Sequence, residues 1–208
     1  MSIDKYGRTV IRNIYCDTEN YRLVRRSIES PAYKEKLRIR SYERATHDSK
    51  VFVELKKKFD SVVYKRRISL SEHSAFDWVN GISPCEKSTQ ISREIDYFLS
   101  YYQTIHPTAF LSYEREAFCS ADGGDFRVTF DENILCRQSD LSLCSEVWGT
   151  PLLDRGLTLM EIKCSAGIPL WMTHALAAER VYKTSFSKYG TAYEKIIYPS
   201  LQEVILYA

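Results

Sequence analysis

The strongest constraint on the fold is a run in which basic residues occupy every second position. The segment Tyr33–Tyr42 has Lys or Arg at positions 34, 36, 38 and 40, and Leu37 and Ile39 stand between them. Side chains of a β-strand alternate between its two faces. The pattern therefore predicts a strand with one basic face and one apolar face.

The same alternation recurs in later strand-like segments. In two of them an acidic residue stands two positions before a lysine, so Glu54 and Glu161 each share a face with the lysine that follows. The basic residues on these polar faces are Lys56, Arg115, Arg127 and Lys163. A single strand of this kind is also typical of an ordinary antiparallel sheet with one solvent-exposed face. Several such strands together favour a bound anion, because like charges on adjacent strands destabilise a sheet and an anion would neutralise them.

About eight strands close a barrel that is wide enough for a slim ligand. If helices cover its outside, the basic faces line the interior and suit phosphate, to which Arg donates paired hydrogen bonds. A carboxylate among these cations repels phosphate unless a divalent cation lies between them. Glu161, with or without Glu54, is therefore a candidate ligand for Mg²⁺ or Mn²⁺.

Charge and composition further limit the classes of protein to which the chain can belong. The net charge is only +2, but residues 1–70 hold 18 Lys and Arg against 9 Asp and Glu. The six cysteines show no C-x-x-C pair and no zinc-ligand spacing, which is typical of reduced thiols in a cytosolic protein. There is no membrane-spanning apolar run and no signal-peptide pattern. The chain lacks an aromatic-plus-basic stacking motif, so we expect no nucleic-acid partner.

Local patterns predict the order of the elements. Strands are expected over 9–16, 33–42, 50–58, 62–70, 109–120, 125–131 and 157–164, with a hairpin turn at 122–125. Helices are expected over 19–29, 71–79, 88–103, 170–183 and 191–207. These elements predict an α+β fold: an antiparallel β-barrel tunnel with helices packed outside, in a single domain over residues 1–208.

Eight short motifs span essentially the whole chain: NIYCDT at 13–18, YKEKLRIRSY at 33–42, VELK at 53–56, YKRR at 64–67, YEREAF at 113–118, RVTFD at 127–131, MEIK at 160–163 and SKY at 187–189. Taken in order, these motifs resemble the VTC domain, the polyphosphate polymerase branch of the CYTH-like triphosphate tunnel metalloenzymes. Each motif alone is weak, whereas the ordered set is specific.

The resemblance implies a tunnel that binds ATP or another triphosphate together with a growing polyphosphate chain, with Mn²⁺ or Mg²⁺ as the cofactor. The catalytic phosphate contacts that it implies are Arg38, Arg40, Lys56, Arg115 and Arg127. The further phosphate-binding residues are Lys65, Lys163, Ser187 and Lys188, with the choice among Lys65, Arg66 and Arg67 left open. The metal ligand that it implies is Glu161.

The chain also departs from the family pattern. In the family a strand with a Glu/Lys pattern and a helix precede the strand 9–16, and we do not expect them here because Met1 stands just before that strand. An open sheet edge would invite another chain. We therefore expect a partner chain or a membrane-associated protein, which would place a cytoplasmic protein at the inner face of a membrane.

The resemblance favours a metal-dependent phosphotransferase that moves the γ-phosphate of ATP onto polyphosphate and releases ADP. The segments around Arg115 and Ser187 favour this activity. Two alternatives remain open. One is a tunnel triphosphatase, in which water is the acceptor. The other is a non-catalytic polyphosphate-binding or sensing module, which the expected absence of the first strand favours.

Overall fold

A computed structural model of the chain describes residues 1–29, 32–60, 62–121, 123–165 and 167–206. For residues 203–206 it describes the backbone only. Its strands are Ser2–Ile3 (β1), Thr9–Asp17 (β2), Tyr33–Tyr42 (β3), Lys50–Phe59 (β4), Val62–Ser71 (β5), His106–Cys119 (β6), Arg127–Arg137 (β7), Thr150–Pro151 (β8) and Leu159–Lys163 (β9). Its helices are Arg22–Ile28 (α1), Glu72–Val79 (α2), Gln90–Tyr102 (α3), Leu170–Ala178 (α4), Lys188–Ala192 (α5) and Tyr198–Leu206 (α6). A π-helical segment, Tyr193–Ile197, joins α5 to α6.

The strands form one antiparallel sheet. Within the described residues it has nine strands in the order β5-β4-β3-β2-β6-β7-β8, with β1 paired to β6 and β9 paired to β7. The register places Arg38 opposite both Tyr15 and Glu54, and it places Arg115 opposite Asp131. The α+β class and the antiparallel sheet are confirmed.

The sheet is strongly curved, and its polar face is concave. β4 and β9 are five steps apart in the strand order, which in a flat sheet corresponds to about 24 Å at a spacing of about 4.8 Å. The charges of Glu161 and Lys163 on β9 nevertheless influence the pKa of Lys56 on β4, and such influence is screened beyond about 10 Å. The two ends of the sheet therefore face each other across a cleft.

The predicted barrel is open along one side. In the part of the chain that the structure describes, β5 pairs with β4 and no ladder joins it to β8 or β9. The strands thus wrap around a tunnel-shaped space without closing it by hydrogen bonds.

The apolar face of the sheet is convex and carries α2 and α3. The buried residues that meet there include Leu37, Ile39, Val53 and Leu55 from the strands and Trp78, Ile95 and Phe98 from the helices. Both helices begin at capped residues. Ser71 accepts a hydrogen bond from the backbone N–H of Ser74, and Thr89 forms a capping box with Ser92. Such caps each contribute about 1 kcal/mol.

The C-terminal helical segment packs on the concave face instead. Tyr189 on α5 stacks on Tyr15 of β2 with ring centroids 4.6 Å apart. The same apolar cluster contains Ala109 and Leu111 from β6 and Ile197 from the π-helical segment. This segment covers the apolar part of the concave face and leaves the charged part open.

Most predicted elements are present, with shifted ends. The helix predicted over 170–183 ends at Ala178, because Arg180 adopts a left-handed backbone with φ of 53°. The closing helix begins at Lys188, where Ser187 caps it. The short strands β1 and β8 were not predicted, and position 122 of the predicted hairpin turn lies outside the described residues. No helix in the described chain is both long and apolar enough to cross a membrane.

Candidate phosphate-binding site

The charged part of the concave face forms what we call the basic cleft. Its residues are Lys36, Arg38, Arg40, Lys56, Lys65, Arg67, Arg115, Glu161, Lys163 and Lys188. They come from β3, β4 and β5 on one side and from β6, β9 and α5 on the other. Cations outnumber carboxylates on this surface, so it is suited to an anionic ligand.

A buried glutamate organises the first side of the cleft. Glu54 is only 1% exposed and accepts hydrogen bonds from Arg38 at 2.8 and 2.7 Å. Lys65 and Arg67 approach its other oxygen at 2.8 and 2.6 Å. Burial opposes the charge of Glu54, but Arg38, Arg40 and Lys65 outweigh it and hold the pKa well below its usual range. Glu54 is therefore an ionised anchor for the cations around it.

Arg40 is fixed deeper in the sheet. It is buried, and its guanidinium donates to Asn13 Oδ1 at 2.7 Å and to the hydroxyl of Tyr113 at 3.0 Å. Both partners are neutral, so the positive charge of Arg40 is held in place without being cancelled. The pKa of Glu54 is lowered by this charge as well.

Tyr15 lies between the cations and the C-terminal helix. Its hydroxyl accepts a hydrogen bond of 3.2 Å from Arg38, and its ring stacks on Tyr189. Burial works against ionisation, but the charges of Arg38, Lys36 and Arg40 lower the pKa of Tyr15 to about 8. The shift shows that the local field favours negative charge at this point of the cleft.

Three lysines stand in a row on adjacent strands. The register places Lys36 opposite Lys56 and Lys56 opposite Lys65. Burial, followed by neighbouring cations, lowers the pKa of Lys36 and of Lys56. Like charges directly opposite one another destabilise a sheet. A bound anion would remove that repulsion.

The second side of the cleft is built around Asp131. This fully buried carboxylate receives two hydrogen bonds from Arg115, at 2.6 and 2.7 Å, and one from Lys188 at 2.5 Å. Burial opposes its ionisation, whereas Arg115 and Lys188 lower its pKa below the ordinary value. Asp131 therefore plays the same anchoring role here that Glu54 plays on the first side.

The N-terminus of α5 connects the two sides. Ser187 accepts a hydrogen bond of 2.8 Å from Lys36 on β3, while the next residue, Lys188, reaches Asp131 on β7. The Nζ atom of Lys188 also lies 4.5 Å from the centre of the Tyr113 ring. These contacts hold the end of the helix in the cleft.

Among the residues that the structure describes, Glu161 is a substantially exposed carboxylate of the basic cleft, whereas Glu54 and Asp131 are buried. The side chain of Glu161 is 45% exposed and lies 3.2 Å from Lys163 and 3.9 Å from Arg115. Burial opposes its charge, but Lys163, Arg115 and Lys188 lower its pKa. An ionised, accessible oxygen donor beside a phosphate site fits Mg²⁺ or Mn²⁺, which take one or two carboxylates together with phosphate oxygens and water.

Most of the site residues that the sequence predicts lie together in the basic cleft, and Arg127 lies at its margin. Those that the structure brings together are Arg38, Arg40, Lys56, Lys65, Arg115, Glu161, Lys163, Ser187 and Lys188. Arg127 lies farther along β7, opposite Lys163, where it pairs with Asp4 at 3.0 Å and is 44% exposed. It is at the margin of the cleft.

Sequence reasoning did not assign roles to several residues that hold the cations. They are Asn13, Tyr15, Tyr113 and Asp131. The alternation of side chains along a strand could have identified some of them, because Asn13 and Tyr15 share one face of β2 and Asp131 shares a face of β7 with Arg127. Cross-strand register was needed to show which cation each one meets.

A curved antiparallel sheet with cations from both ends converging on one cleft defines the class of protein as a tunnel-like α+β fold with a basic interior. A family model described as the VTC domain matches residues 1–197, and the chain belongs to the VTC domain family.

A solved structure adds a comparison of the fold. A protein from Bacillus halodurans described as a candidate adenylate cyclase is 14% identical to this chain, with a TM-score of 0.51. The match covers 88% of this chain and 81% of that one. At this identity the likeness concerns the fold alone. None of the curated protein sequences compared with the chain gives a significant match.

Proposed function

We propose that this protein is a metal-dependent phosphotransferase that moves the γ-phosphate of ATP onto a polyphosphate chain in the basic cleft. The observation that carries the proposal is the lysine row Lys36–Lys56–Lys65, whose central member Lys56 lies within electrostatic reach of Glu161 and Lys163 on the other side of the cleft. Among the described residues Lys36 and Lys56 have no carboxylate within salt-bridge distance, and Lys65 shares Glu54 with Arg38 and Arg67. The row therefore carries excess positive charge along a line, as an extended chain of phosphates requires.

The cations are positioned before the ligand arrives. Glu54 fixes Arg38 and Asp131 fixes Arg115, each through two hydrogen bonds from the guanidinium. Phosphoryl transfer depends mainly on such positioning and on charge stabilisation. In this proposal Arg38 and Arg115 bind phosphate oxygens with their remaining N–H groups, and the lysine row holds the chain that extends from them.

Glu161 would hold the divalent cation in the proposed enzyme. A cation held by this carboxylate would offset the negative charge of the reacting phosphates. Lys163 and Arg115 keep the carboxylate ionised, so it needs no proton release to become a ligand. This supports Glu161 as a metal ligand rather than as an acid or base.

The two buried carboxylates are already paired with cations, which favours transfer of the phosphoryl group to a phosphate acceptor over its hydrolysis. Glu54 and Asp131 are buried and held by cations, and neither is available to take a proton from water. The end of a polyphosphate chain is already ionised and needs no base. A water nucleophile must be oriented and must lose a proton. Among the described residues of the cleft, Glu161 is the remaining ionised carboxylate, and in this proposal it holds the metal rather than acting as a base.

Product analysis tests the proposal. The protein is incubated with ATP and Mn²⁺ or Mg²⁺, and ADP, free phosphate and polyphosphate are separated. ADP with polyphosphate in matching amounts supports the phosphotransferase. ADP with free phosphate alone supports a triphosphatase. Absence of turnover with tight polyphosphate binding supports a binding or sensing module, and absence of both would contradict the proposal.

A carboxamide variant tests the role of Glu161. Glu161→Gln should retain the fold and triphosphate binding but lose metal-dependent turnover. Glu132→Gln is the matched control, because this glutamate lies on the adjacent strand, is similarly exposed at 41% and pairs with Arg8 outside the cleft. Turnover of Glu161→Gln within about tenfold of wild type, or about 1.4 kcal/mol of barrier, would show that Glu161 is not the essential ligand.

A further inference from the structure

A second cluster of chemically active side chains lies on the convex side of the sheet, away from the basic cleft. His47 comes from the turn between β3 and β4, Glu72 is the first residue of α2, and Cys144 belongs to the irregular segment between β7 and β8. Their imidazole, carboxylate and thiol ligand atoms all lie within 4.8 Å of one another. The three residues are far apart in sequence, so their linear spacing gave no sign of the cluster.

The backbone holds the three segments together independently of these side chains. The carbonyl of His47 accepts the N–H of His73, next to Glu72, at 3.2 Å. The N–H of Ala45 donates to the carbonyl of Leu143 at 3.2 Å, and Arg44 donates to the carbonyl of Cys144 at 2.6 Å. The cluster is therefore fixed by its scaffold, as a pre-formed binding site requires.

The side chains already approach the geometry of a tetrahedral metal. Nδ1 of His47 lies 3.4 Å from Oε2 of Glu72. Two ligands at zinc-bond lengths of about 2.0–2.2 Å in a tetrahedron are separated by about 3.4 Å. Imidazole, carboxylate and thiolate are all common zinc ligands, and three protein ligands with a water in the fourth position form a recurrent site.

The carboxylate also lacks a permanent cationic partner at close range. Glu72 is 7% exposed at its side chain, and the partner within salt-bridge distance among the described residues is His47, which is charged only when protonated. The thiol of Cys144 lies within 4.8 Å of the carboxylate. A buried carboxylate is costly unless a cation or hydrogen bonds compensate it, and a divalent metal at this point would do so.

We propose that His47, Glu72 and Cys144 bind a zinc ion that fastens the segment between β7 and β8 to the β3–β4 turn and to α2. On binding, the Sγ–H bond of Cys144 breaks, a Zn–S bond forms and the proton passes to solvent. Zn²⁺ is then balanced by one thiolate and one carboxylate. His47 is 83% exposed at its side chain, so the ion enters from solvent and keeps a water as its fourth ligand.

The same residues are poorly arranged for nucleophilic catalysis. His47 directs Nδ1 to Glu72 rather than acting as a base on Sγ. A structural metal site accounts for the three ligands without requiring an activated thiol.

Metal titration tests the proposal. The full chain is stripped of metal under reducing conditions and titrated with Zn²⁺ against a chromophoric chelator. Wild type should bind one equivalent, and one equivalent should raise its melting temperature. His47→Ala should lower the affinity by at least about 100-fold, since it removes a direct ligand. His47 is exposed, so this variant should fold normally.

Two further variants complete the test. Cys144→Ser should lose both the tight binding and the thiolate-to-metal charge-transfer band seen when Co²⁺ replaces Zn²⁺. The matched control Cys119→Ser, on β6, should retain both, as should His174→Ala on α4. Failure of wild type to bind one equivalent would overturn the proposal. So would binding by His47→Ala or Cys144→Ser that equals the controls.

Discussion

At the scale of single residues, two buried carboxylates determine how the basic cleft is held together. Glu54 binds Arg38, Lys65 and Arg67, and Asp131 binds Arg115 and Lys188. Removing one partner of a buried ion pair costs about 3–5 kcal/mol, because the other charge is left uncompensated. These carboxylates therefore position the cations for a ligand and keep the unliganded cleft folded.

The phenol of Tyr15 reports on the charge in the cleft. Its pKa is lowered to about 8 by Arg38, Lys36 and Arg40 against the effect of burial. A bound polyanion would neutralise these cations and make the phenolate less favourable, so saturating tripolyphosphate should raise the pKa. The measurement is ultraviolet difference titration of wild type against Tyr15→Phe. A Tyr15 titration that is unchanged by bound tripolyphosphate would place the anion elsewhere.

Two neighbouring lysines on β4 distinguish binding in the cleft from a general effect of positive charge. Lys56 faces the cleft, whereas Lys57 lies on the opposite face and pairs with Glu35 at 3.5 Å. Lys56→Ala should weaken tripolyphosphate binding about tenfold, or about 1.4 kcal/mol. Lys57→Ala removes the same charge and should change the affinity less than about twofold. Calorimetry at low salt measures both, and equal losses would contradict the assigned site.

At the scale of elements, α5 is the helix that ties the C-terminal segment to the charged face. Its cap, Ser187, accepts hydrogen bonds from the N–H of Gly190 at 3.2 Å and from Lys36 at 2.8 Å. Thr89 caps α3 in the same manner but lies on the convex side of the sheet. The two caps are chemically similar and differ in whether they contact the cleft.

This difference gives a prediction for the two caps. Ser187→Ala and Thr89→Ala should each lower the free energy of unfolding by about 1 kcal/mol, as measured by urea denaturation. Only Ser187→Ala should also weaken tripolyphosphate binding, by several-fold, because it frees Lys36 and removes a hydroxyl from the cleft. Unchanged binding by Ser187→Ala would leave Ser187 with the capping role alone.

The elements also show how far the sequence could predict this fold. The alternation over Tyr33–Tyr42 predicted β3 with both ends correct. β7 was predicted only to Asp131, because a register shift opposite Ser112 and Glu114 and a left-handed backbone at Asn133 interrupt its alternation. Cations such as Arg38, Lys56 and Arg115 could be predicted because alternation places them on faces, and Lys65 and Lys188 could be predicted only from the family resemblance. Their partners could not, since pairing of Arg40 with Asn13 or of Arg115 with Asp131 depends on strand order and register.

At the scale of the whole molecule, curvature is the property that creates the cleft. Lys56 on β4 and Glu161 on β9 are distant along the sheet yet influence each other electrostatically across the concave face. The C-terminal helical segment fills the apolar part of that face, and Lys56, Lys65 and Lys163 remain exposed on the charged part. Affinity for a polyanion should accordingly be strong at low ionic strength and weaken as salt screens the cleft.

A crystal structure of the protein with inorganic tripolyphosphate and Mn²⁺ tests the central claim most directly. The phosphates should lie along the row Lys36–Lys56–Lys65 with Arg115 on the opposite side, and the anomalous signal of Mn²⁺ should fall beside Glu161. Tripolyphosphate bound only on the outer surface, or a cleft that holds no phosphate at saturating concentration, would contradict the assignment of the concave face as the phosphate-binding site.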